Sequence, residues 1–251
     1  IIKHADIRRS LMNMKSLIEG QRSLAFWVSQ QIDVSLNHSD TTIKKNANDM
    51  VSMMTPLIKS FFTDIGMEIT NDAIQVFGGY GYTKDQGVEQ LFRDNRITPI
   101  YEGTNSVQAI DLVFRKILNN NIYNNYISQI SKEIQEYEKN EELALFVQKF
   151  QKYIELINNF TSWLIEKNKN SKDDVSAACN DYLKVLGYLG LAHSWLKILK
   201  VSYDKYDTNK SFFEDKINTA TYYFDKILPR AQSHYLSAVT GSKSMMKANF
   251  N

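Results

Sequence analysis

Apolar residues recur at steps of three and four along most of the chain, which is the spacing of one face of an α-helix. The first such stripe consists of Ile7, Leu11, Met14, Leu17, Ile18, Leu24, Val28 and Ile32. It predicts a helix over about residues 6–36. Asp40 or Thr41 is suited to cap a second helix over about 42–76. Pro56 lies inside that helix, so we expect a kink or a split there.

The inward face of the second helix is predicted from Val51, Met54, Ile58, Phe61, Phe62, Ile65 and Ile69. Beyond it, Gly78, Gly79, Gly81 and Gly87 fall within ten residues, although the whole chain has only 10 glycines and 3 prolines. This clustering predicts one special loop over 78–84 in an otherwise helical chain. A short helix over 88–94, an irregular stretch over 96–103 and a helix over 104–118 are expected to follow.

Asparagines concentrate between residues 119 and 125, and this is the only linker-like composition in the chain. We therefore predict two domains, 1–120 and 121–251. Further helices are expected over 126–139, 142–170, 173–203 and 211–246. Long helical patterns with few helix breakers predict an all-α fold.

Composition excludes several classes of function. The net charge of +2 comes from 30 basic and 28 acidic residues, so a nucleic acid or an anionic membrane is not the expected partner. No apolar run approaches the roughly 18 residues of a membrane-spanning helix. The single cysteine, Cys179, cannot form an internal disulfide and matches no metal spacing, so we expect a structural thiol, no metal site and a cytoplasmic protein. Because the chain lacks a starting methionine, we interpret it as part of a longer polypeptide.

Two short segments are candidates for chemistry, and the residues alone leave both undecided. The glycines of residues 77–82 either stop a helix with a tight turn or let the backbone approach a ligand closely. Glu102 precedes a predicted helix, where a carboxylate complements the helix dipole whether or not it has a catalytic role. Arg93 and Asp94 are expected to form a structural ion pair.

A resemblance separates these alternatives. The segments that carry it are Gln75-Val76-Phe77-Gly78-Gly79, Arg93-Asp94, Ile100-Tyr101-Glu102-Gly103-Thr104, His4-Ala5-Asp6-Ile7-Arg8-Arg9 and Met12-Asn13-Met14-Lys15. At these spacings the chain resembles the C-terminal helical domain of acyl-CoA dehydrogenases. It is similar in particular to the large bacterial branch that includes 3-methylmercaptopropionyl-CoA dehydrogenase and carries an additional C-terminal helical domain. Residues 1 to about 120 carry the specific motifs. Beyond them the similarity rests on length, helical pattern and Leu228-Pro229-Arg230.

The resemblance implies a fold and a reaction. The fold is a four-helix up-and-down bundle followed by a second helical bundle. The reaction is the α,β-dehydrogenation of an acyl-CoA thioester, with Glu102 as the base that removes the α-proton while the β-hydrogen leaves as hydride to FAD. The backbone N–H of Glu102 is expected to bind the thioester carbonyl. Tyr101 and Gly103 are expected to line the substrate site.

The resemblance also implies cofactor contacts and partners. Gln75, Gly78 and Gly79 match the loop that meets the FAD of the neighbouring subunit, while Thr104 and Ser106 match FAD contacts after the base. Many relatives have glutamine where this chain has Ser106, and likewise at Ala5. The implied assembly is a homodimer or homotetramer, and the implied electron acceptor is an electron-transfer flavoprotein.

Two alternatives remain open at this point. An acyl-CoA oxidase shares the fold and the glutamate but passes electrons to oxygen. A non-catalytic oligomerisation or interaction module requires no active site. The N-terminal domains that hold most of the FAD and CoA in the family are not in this chain, so we expect the fragment alone to bind FAD weakly or not at all and to be inactive.

Overall fold

The computed structural model describes residues 1–119 and 122–250, and every regular element within these ranges is a helix. This confirms the all-α prediction. Helices α1 (Ala5–Asn37) and α2 (Thr41–Phe77) are joined by a short turn and lie side by side. Asp40 caps α2, because its carboxylate accepts hydrogen bonds from the N–H groups of Thr42 and Ile43.

Helix α2 continues through Pro56 as one element, so of the two expected outcomes, a kink or a split, the split does not occur. Pro56 cannot donate the usual helix hydrogen bond. It is nevertheless buried, and Leu57 and Phe61 on the same and the following turn are each only 1% exposed. Burial of this apolar face on both sides of Pro56 holds the helix together despite the missing bond.

The segment between α2 and the C-terminal helices is more irregular than the pattern predicts. It contains α3 (Gly79–Tyr82), a 3₁₀ turn, α4 (Val88–Asn95) and α5 (Asn105–Ile110). The predicted loop over 78–84 therefore includes a helical turn. The predicted helix over 104–118 is α-helical only as far as Ile110, and it continues as a π-helical segment, Asp111–Ile117.

The C-terminal half contains α6 (Ile122–Tyr137), α7 (Glu141–Lys167), α8 (Lys172–Asp204), α9 (Lys210–Tyr222), α10 (Arg230–Ala238) and α11 (Lys243–Met246). The continuous helix predicted over 211–246 is wrong. Helix α9 passes into a π-helical segment and ends before Pro229, which precedes α10 and has no N–H to continue the ladder. Gly241, with φ of +77°, follows the end of α10.

Helix α8 lies at the centre of the molecule. It packs against α1, α2, α5, α7, α9 and α10. Most of its side chains are buried all round the helix, as expected for an element enclosed on every side. Its closest approaches need small residues. A Cβ at Gly187 would lie 2.5 Å from the Phe61 ring of α2, and a Cβ at Gly20 of α1 would lie 2.9 Å from the Trp195 indole nitrogen.

One hydrophobic core includes helices from both ends of the chain. It runs from Leu17 in α1 to Ala238 in α10. The Trp195 indole N–H donates to the carbonyl of Ser16, 3.1 Å away, across the α8–α1 contact. The boundary predicted between residues 120 and 121 falls outside the described residues. No described helix has the length and apolar content needed to cross a membrane.

Candidate active site

Glu102 lies in the loop that connects α4 to α5. The loop turns back on itself, because Tyr101 N–H donates to the carbonyl of Ile97 at 3.1 Å and Asn105 N–H donates to that of Pro99 at 3.1 Å. Glu102 has a φ of +55°, and it is the only non-glycine residue in the described part of the chain with a positive φ. Left-handed backbone is costly for a residue with a Cβ, and such strain tends to occur at functional sites.

Two side chains anchor this loop to the middle of α2. The Lys59 ammonium donates to the carbonyl of Gly103 at 2.6 Å and to Oδ1 of Asn105 at 2.8 Å. The Asn105 amide nitrogen lies 2.7 Å from Oδ1 of Asp64 and 3.1 Å from the carbonyl of Ser60. Gly103 and Asn105 are therefore both tied to residues 59–64 of α2.

The residues after Glu102 begin helix α5. Thr104 is its N-cap, and its hydroxyl accepts a long hydrogen bond of 3.5 Å from Val107 N–H. The Gln108 side-chain amide donates to the carbonyl of Glu102 at 2.8 Å. The Ser106 hydroxyl accepts from the Asn180 amide of α8 at 3.4 Å, which links the start of α5 to the central helix.

Apolar side chains of the Glu102 loop and of α5 are left uncovered in this chain. Five side chains, each 44% exposed or more, form what we call the base-side patch: Ile97, Ile100, Tyr101, Val107 and Ile110. Glu102 itself is exposed. No acceptor for the Glu102 N–H is found among the described residues. The loop and the start of α5 thus expose a carboxylate, an N–H donor and several apolar side chains.

The glycine turn lies at the end of α2. Gln75 is exposed, and its carbonyl accepts from Gly78 N–H at 3.1 Å, which closes the helix. Gly78 has a φ of +63°, and a Cβ added at Gly78 or Gly79 would meet nothing within 4 Å. A Cβ at Gly81 would lie 2.7 Å from the carbonyl of Ile74, so that glycine allows the turn to fold back onto α2.

The structure brings some of the predicted site residues together and keeps others apart. Tyr101, Glu102, Gly103, Thr104 and Ser106 share one loop and the first turn of α5. Gln75 and the two glycines lie elsewhere, because the Glu102 loop is anchored at Lys59, sixteen residues before Gln75 on continuous helix. At 1.5 Å per residue this is a separation of about 24 Å along α2. The chain therefore carries two separate open surfaces.

The sequence alone did not single out Lys59 or Asn105. Lys59 occurs in an ordinary helical pattern, and Asn105 looks like a routine residue at a helix start. The signal that could have identified Lys59 is its position in a helix whose inward face is otherwise apolar. Only the tertiary structure shows that this lysine reaches a loop more than forty residues later in the chain.

Other candidates have structural explanations. Arg93 pairs with Glu89 at 3.3 Å and not with Asp94, so the predicted pair is wrong: residues four apart share a helix face, whereas adjacent residues do not.

Burial raises the pKa of the Cys179 thiol to about 12, which agrees with a structural thiol. No group of three or more potential metal ligands occurs within residues 1–119 and 122–250. A cavity of about 720 Å³ between α1, α8 and α9 includes none of the predicted site residues.

Two family models match the chain in succession. The model described as "Acyl-CoA dehydrogenase, C-terminal domain" matches residues 1–117. The model described as "Acetyl-CoA dehydrogenase C-terminal like" matches residues 128–249. Between them they cover nearly the whole chain, and both candidate surfaces lie within the first match.

Curated relatives extend beyond this chain. It is 41% identical over 118 residues to 3-methylmercaptopropionyl-CoA dehydrogenase of Ruegeria pomeroyi, a match that covers 47% of this chain and 20% of that protein. It is 26% identical over 257 residues to a butyryl-CoA dehydrogenase of Syntrophomonas wolfei, covering 99% of this chain and 40% of that protein. The chain thus spans less than half of the length of either relative.

Solved structures share the fold at low sequence identity. Caenorhabditis elegans ACDH-11 in complex with C11-CoA superposes with a TM-score of 0.77 at 17% identity, over 99% of this chain and 41% of that one. A Bacillus anthracis acyl-CoA dehydrogenase complexed with FAD gives a TM-score of 0.73 at 16% identity, over 96% of this chain and 43% of that one. The helical arrangement of the whole chain, including the central α8, is therefore one that known proteins adopt.

Proposed function

Since the chain belongs to the acyl-CoA dehydrogenase family, we propose that it forms the C-terminal part of an FAD-dependent enzyme that introduces an α,β double bond into an acyl-CoA thioester. Glu102 is the proposed base. The observation that carries this proposal is the conformation of Glu102: it has left-handed backbone within a braced loop, yet no described residue forms a hydrogen bond or an ion pair with its carboxylate.

In the proposed reaction Glu102 acts through two groups. Its carboxylate removes the α-proton of the thioester, and its backbone N–H donates to the thioester carbonyl, which stabilises the negative charge that develops there. Tyr101 and Gly103 line the acyl group beside it. FAD, when bound, supplies the acceptor for the β-hydrogen, which leaves as hydride. The base-side patch is suited to this role, because an apolar acyl chain and the rest of the enzyme would cover it and exclude water.

The proposed FAD-contacting residues are compatible with a flat, polar ligand. Gly78 and Gly79 present backbone with open space in front of it, so a ligand can approach closely. Exposed Gln75 and the aromatic side chains of Phe77 and Tyr80, which are 50% and 74% exposed, lie at the same turn. Near the base, the Thr104 hydroxyl has only one weak hydrogen bond. The Ser106 hydroxyl can donate its own hydrogen while it accepts from Asn180.

The separation of the two surfaces supports an oligomer. Lys59, which anchors the loop before Thr104 and Ser106, lies about 24 Å along α2 from Gln75, and this spacing favours contacts with two different flavins. We propose that Thr104 and Ser106 serve the FAD of their own subunit and that Gln75, Gly78 and Gly79 serve the FAD of a neighbour in a homodimer or homotetramer. An electron-transfer flavoprotein is the proposed acceptor, and hydrogen peroxide formation by the whole enzyme would indicate an oxidase instead.

Replacing Glu102 with glutamine in the whole enzyme tests the base. Gln keeps the shape and removes the proton acceptor, so kcat should fall by about 10²- to 10⁴-fold while the FAD content stays unchanged. Glu89→Gln, on neighbouring α4, is the matched control and should leave kcat within about twofold. Near-normal turnover in Glu102→Gln would exclude Glu102 as the base.

A further inference from the structure

The loop that carries Glu102 is fastened to α2 by a polar cluster that includes Lys59 and Asn105. We propose that these two side chains are positioning residues: they hold Glu102 in its left-handed conformation and so aim its carboxylate and its N–H at the substrate. The inference rests on the proposed function, because it assigns to Lys59 and Asn105 the orientation of the proposed base.

Lys59 restrains the peptide that follows Glu102. Its ammonium reaches the carbonyl of Gly103 at 2.6 Å and Oδ1 of Asn105 at 2.8 Å. Hydrogen bonds from a charged donor are stronger than those between neutral groups. Gly103 has a φ of +85°, a conformation that only glycine adopts readily, so its peptide would sample many orientations without this contact.

Asn105 uses its whole amide in the same cluster. Its oxygen accepts from Lys59, and its nitrogen faces Oδ1 of Asp64 at 2.7 Å, Oγ1 of Thr63 at 3.0 Å and the carbonyl of Ser60 at 3.1 Å. Its backbone N–H closes the loop onto the carbonyl of Pro99. The side chain is therefore locked in one orientation against α2, and it sets the point where α5 begins.

Two hydrogen bonds restrain the backbone that follows the Glu102 Cα. Its own carbonyl accepts from Gln108 at 2.8 Å, and the next carbonyl along the chain is bound by Lys59. Strained backbone persists only where neighbouring contacts over-determine it. None of these bonds uses the Glu102 carboxylate or its N–H, so the cluster restrains the residue and leaves both functional groups free.

The charges of the cluster are consistent with this role. Burial lowers the pKa of Lys59, while the nearby carboxylates of Asp64 and Glu102 oppose that change. Asp64 lies on α2 and Glu102 in the loop, so the ammonium interacts electrostatically with a carboxylate of each element. A neutral side chain at position 59 would release the loop from this interaction.

The test compares Lys59→Met with Lys59→Arg in the whole enzyme. Met keeps the aliphatic stem and removes the ammonium, so kcat should fall by about 10- to 100-fold while KM changes less than about threefold, since a displacement of about 1 Å can cost this much. Arg restores a charged donor and should recover at least half of the logarithmic loss. Lys216→Met is the matched control, because Lys216 makes a similar 2.8 Å bond to Glu19 outside the site.

FAD content and thermal midpoint are measured for each variant, and kcat is expressed per bound FAD. A purely structural role would lower the midpoint or the FAD content and leave kcat per FAD unchanged, which would overturn the proposal. Equal losses in Lys59→Met and Lys216→Met would overturn it as well.

Asn105→Asp gives a second, independent route. It keeps the acceptor for Lys59 but places a carboxylate against Asp64, so we expect a loss of kcat at least as large as in Lys59→Met. Unchanged kcat in Asn105→Asp would contradict the positioning role. Glu102→Gln, assayed in parallel, separates the two ideas. If Glu102→Gln keeps its turnover, Glu102 is not the base and the proposed function fails. If Glu102→Gln loses its turnover but both Lys59→Met and Asn105→Asp keep theirs, only the positioning role of Lys59 and Asn105 is rejected.

Discussion

At the scale of single residues, the chain gives up stability at the point where we propose that the chemistry occurs. A residue with a Cβ in left-handed backbone costs about 1–2 kcal/mol. Glu102 bears this cost, whereas the other positive φ angles within the described ranges are at glycines. Glycine at this position would avoid the strain, so we expect the Glu102 side chain to have a function that glycine cannot perform.

Glu102→Gly and Glu102→Ala in this chain test the strain directly. Glycine relieves the left-handed cost but adds chain entropy, whereas alanine keeps the Cβ. The glycine variant should therefore be more stable than the alanine variant by about 0.5–1 kcal/mol. Equilibrium denaturation with urea measures the difference. An alanine variant as stable as the glycine variant would mean that residue 102 is not left-handed in solution.

At the scale of elements, α6 and α8 are joined by a buried polar contact. Nε2 of His193 lies 2.8 Å from Oε2 of Glu133, and the Tyr137 hydroxyl donates to Oε1 of the same carboxylate at 2.8 Å. Burial lowers the pKa of His193. Burial alone would raise the pKa of Glu133, but the hydrogen bonds from His193 and Tyr137, together with the charges of His193 and Lys197, lower it.

Both shifts make the α6–α8 contact sensitive to acid. Because the pKa of His193 is lower in the folded state, its contribution to the free energy of unfolding is complete above pH 6.5 and is lost as the pH falls below 6.5. Because the pKa of Glu133 is lowered to about 2 in the folded state, its contribution is complete above pH 4.5 and is lost as the pH falls from 4.5 toward about 2. Since both contributions have the same sign, the helix pair should weaken in two successive stages on acidification.

The variant Glu133→Gln should expose the lower stage. At pH 7 it should cost about 1–3 kcal/mol, because a charge-assisted buried hydrogen bond is lost. The difference in unfolding free energy between this variant and the wild type should narrow as the pH falls from 4.5 toward about 2, because in this range the unfolded wild-type carboxylate binds a proton before the folded one does. Glu136→Gln, on the exposed face of the same helix, is the control. Denaturant titration measures the unfolding free energy of both proteins. A difference between them that stays constant from pH 7 to pH 3 would contradict a lowered pKa of Glu133 in the folded state.

At the scale of the whole molecule, both proposed half-sites are open. The base-side patch and the glycine turn are exposed, and Lys59, which anchors the Glu102 loop, lies about 24 Å along α2 from Gln75. The chain spans 20% of one curated relative and 40% of another, and in the proposed whole enzyme we expect further polypeptide to complete each surface. The core, in contrast, is continuous from α1 to α10. We expect this chain to be a stable scaffold without a complete active site.

Flavin binding distinguishes scaffold from active site. This chain mixed with one equivalent of FAD should retain no flavin absorbance after gel filtration, whereas the whole enzyme should retain it. Gly79→Ala should leave the chain as stable as the wild type or stabilise it by up to about 1 kcal/mol, because the Cβ enters open space. The same change in the whole enzyme should weaken FAD binding at least tenfold.

Gly187→Ala is the contrasting variant for that experiment. Its Cβ would lie 2.5 Å from the buried Phe61 ring, so the chain should lose about 1–3 kcal/mol whether or not flavin is present. Retention of flavin by the isolated chain would overturn the expectation of incomplete sites. If the whole enzyme with Gly79→Ala binds FAD as tightly as the wild type, the glycine turn does not contact the flavin.

Much of the fold follows from local pattern. The spacing of apolar residues in α1 and α2 and the side chain of Asp40 specify these helices through interactions within a few residues. The same local rules fail where longer-range packing competes. Ile18 and Ile32 belong to the predicted stripe but are 39% and 42% exposed, because α2 and α8 meet α1 along a slightly different line, at Leu17, Leu24 and Val28.

By itself, the sequence determined the all-α class, most helix boundaries and the motif around Glu102, since helix periodicity, capping and family motifs are properties of neighbouring residues. Tertiary structure alone decided three other features. They are the continuous helix through Pro56, the central place of α8, and the cluster in which Lys59 and Asn105 hold the Glu102 loop. The physical reason is the same for all three: each depends on contacts between segments far apart in the chain, whose free energy no local spacing encodes.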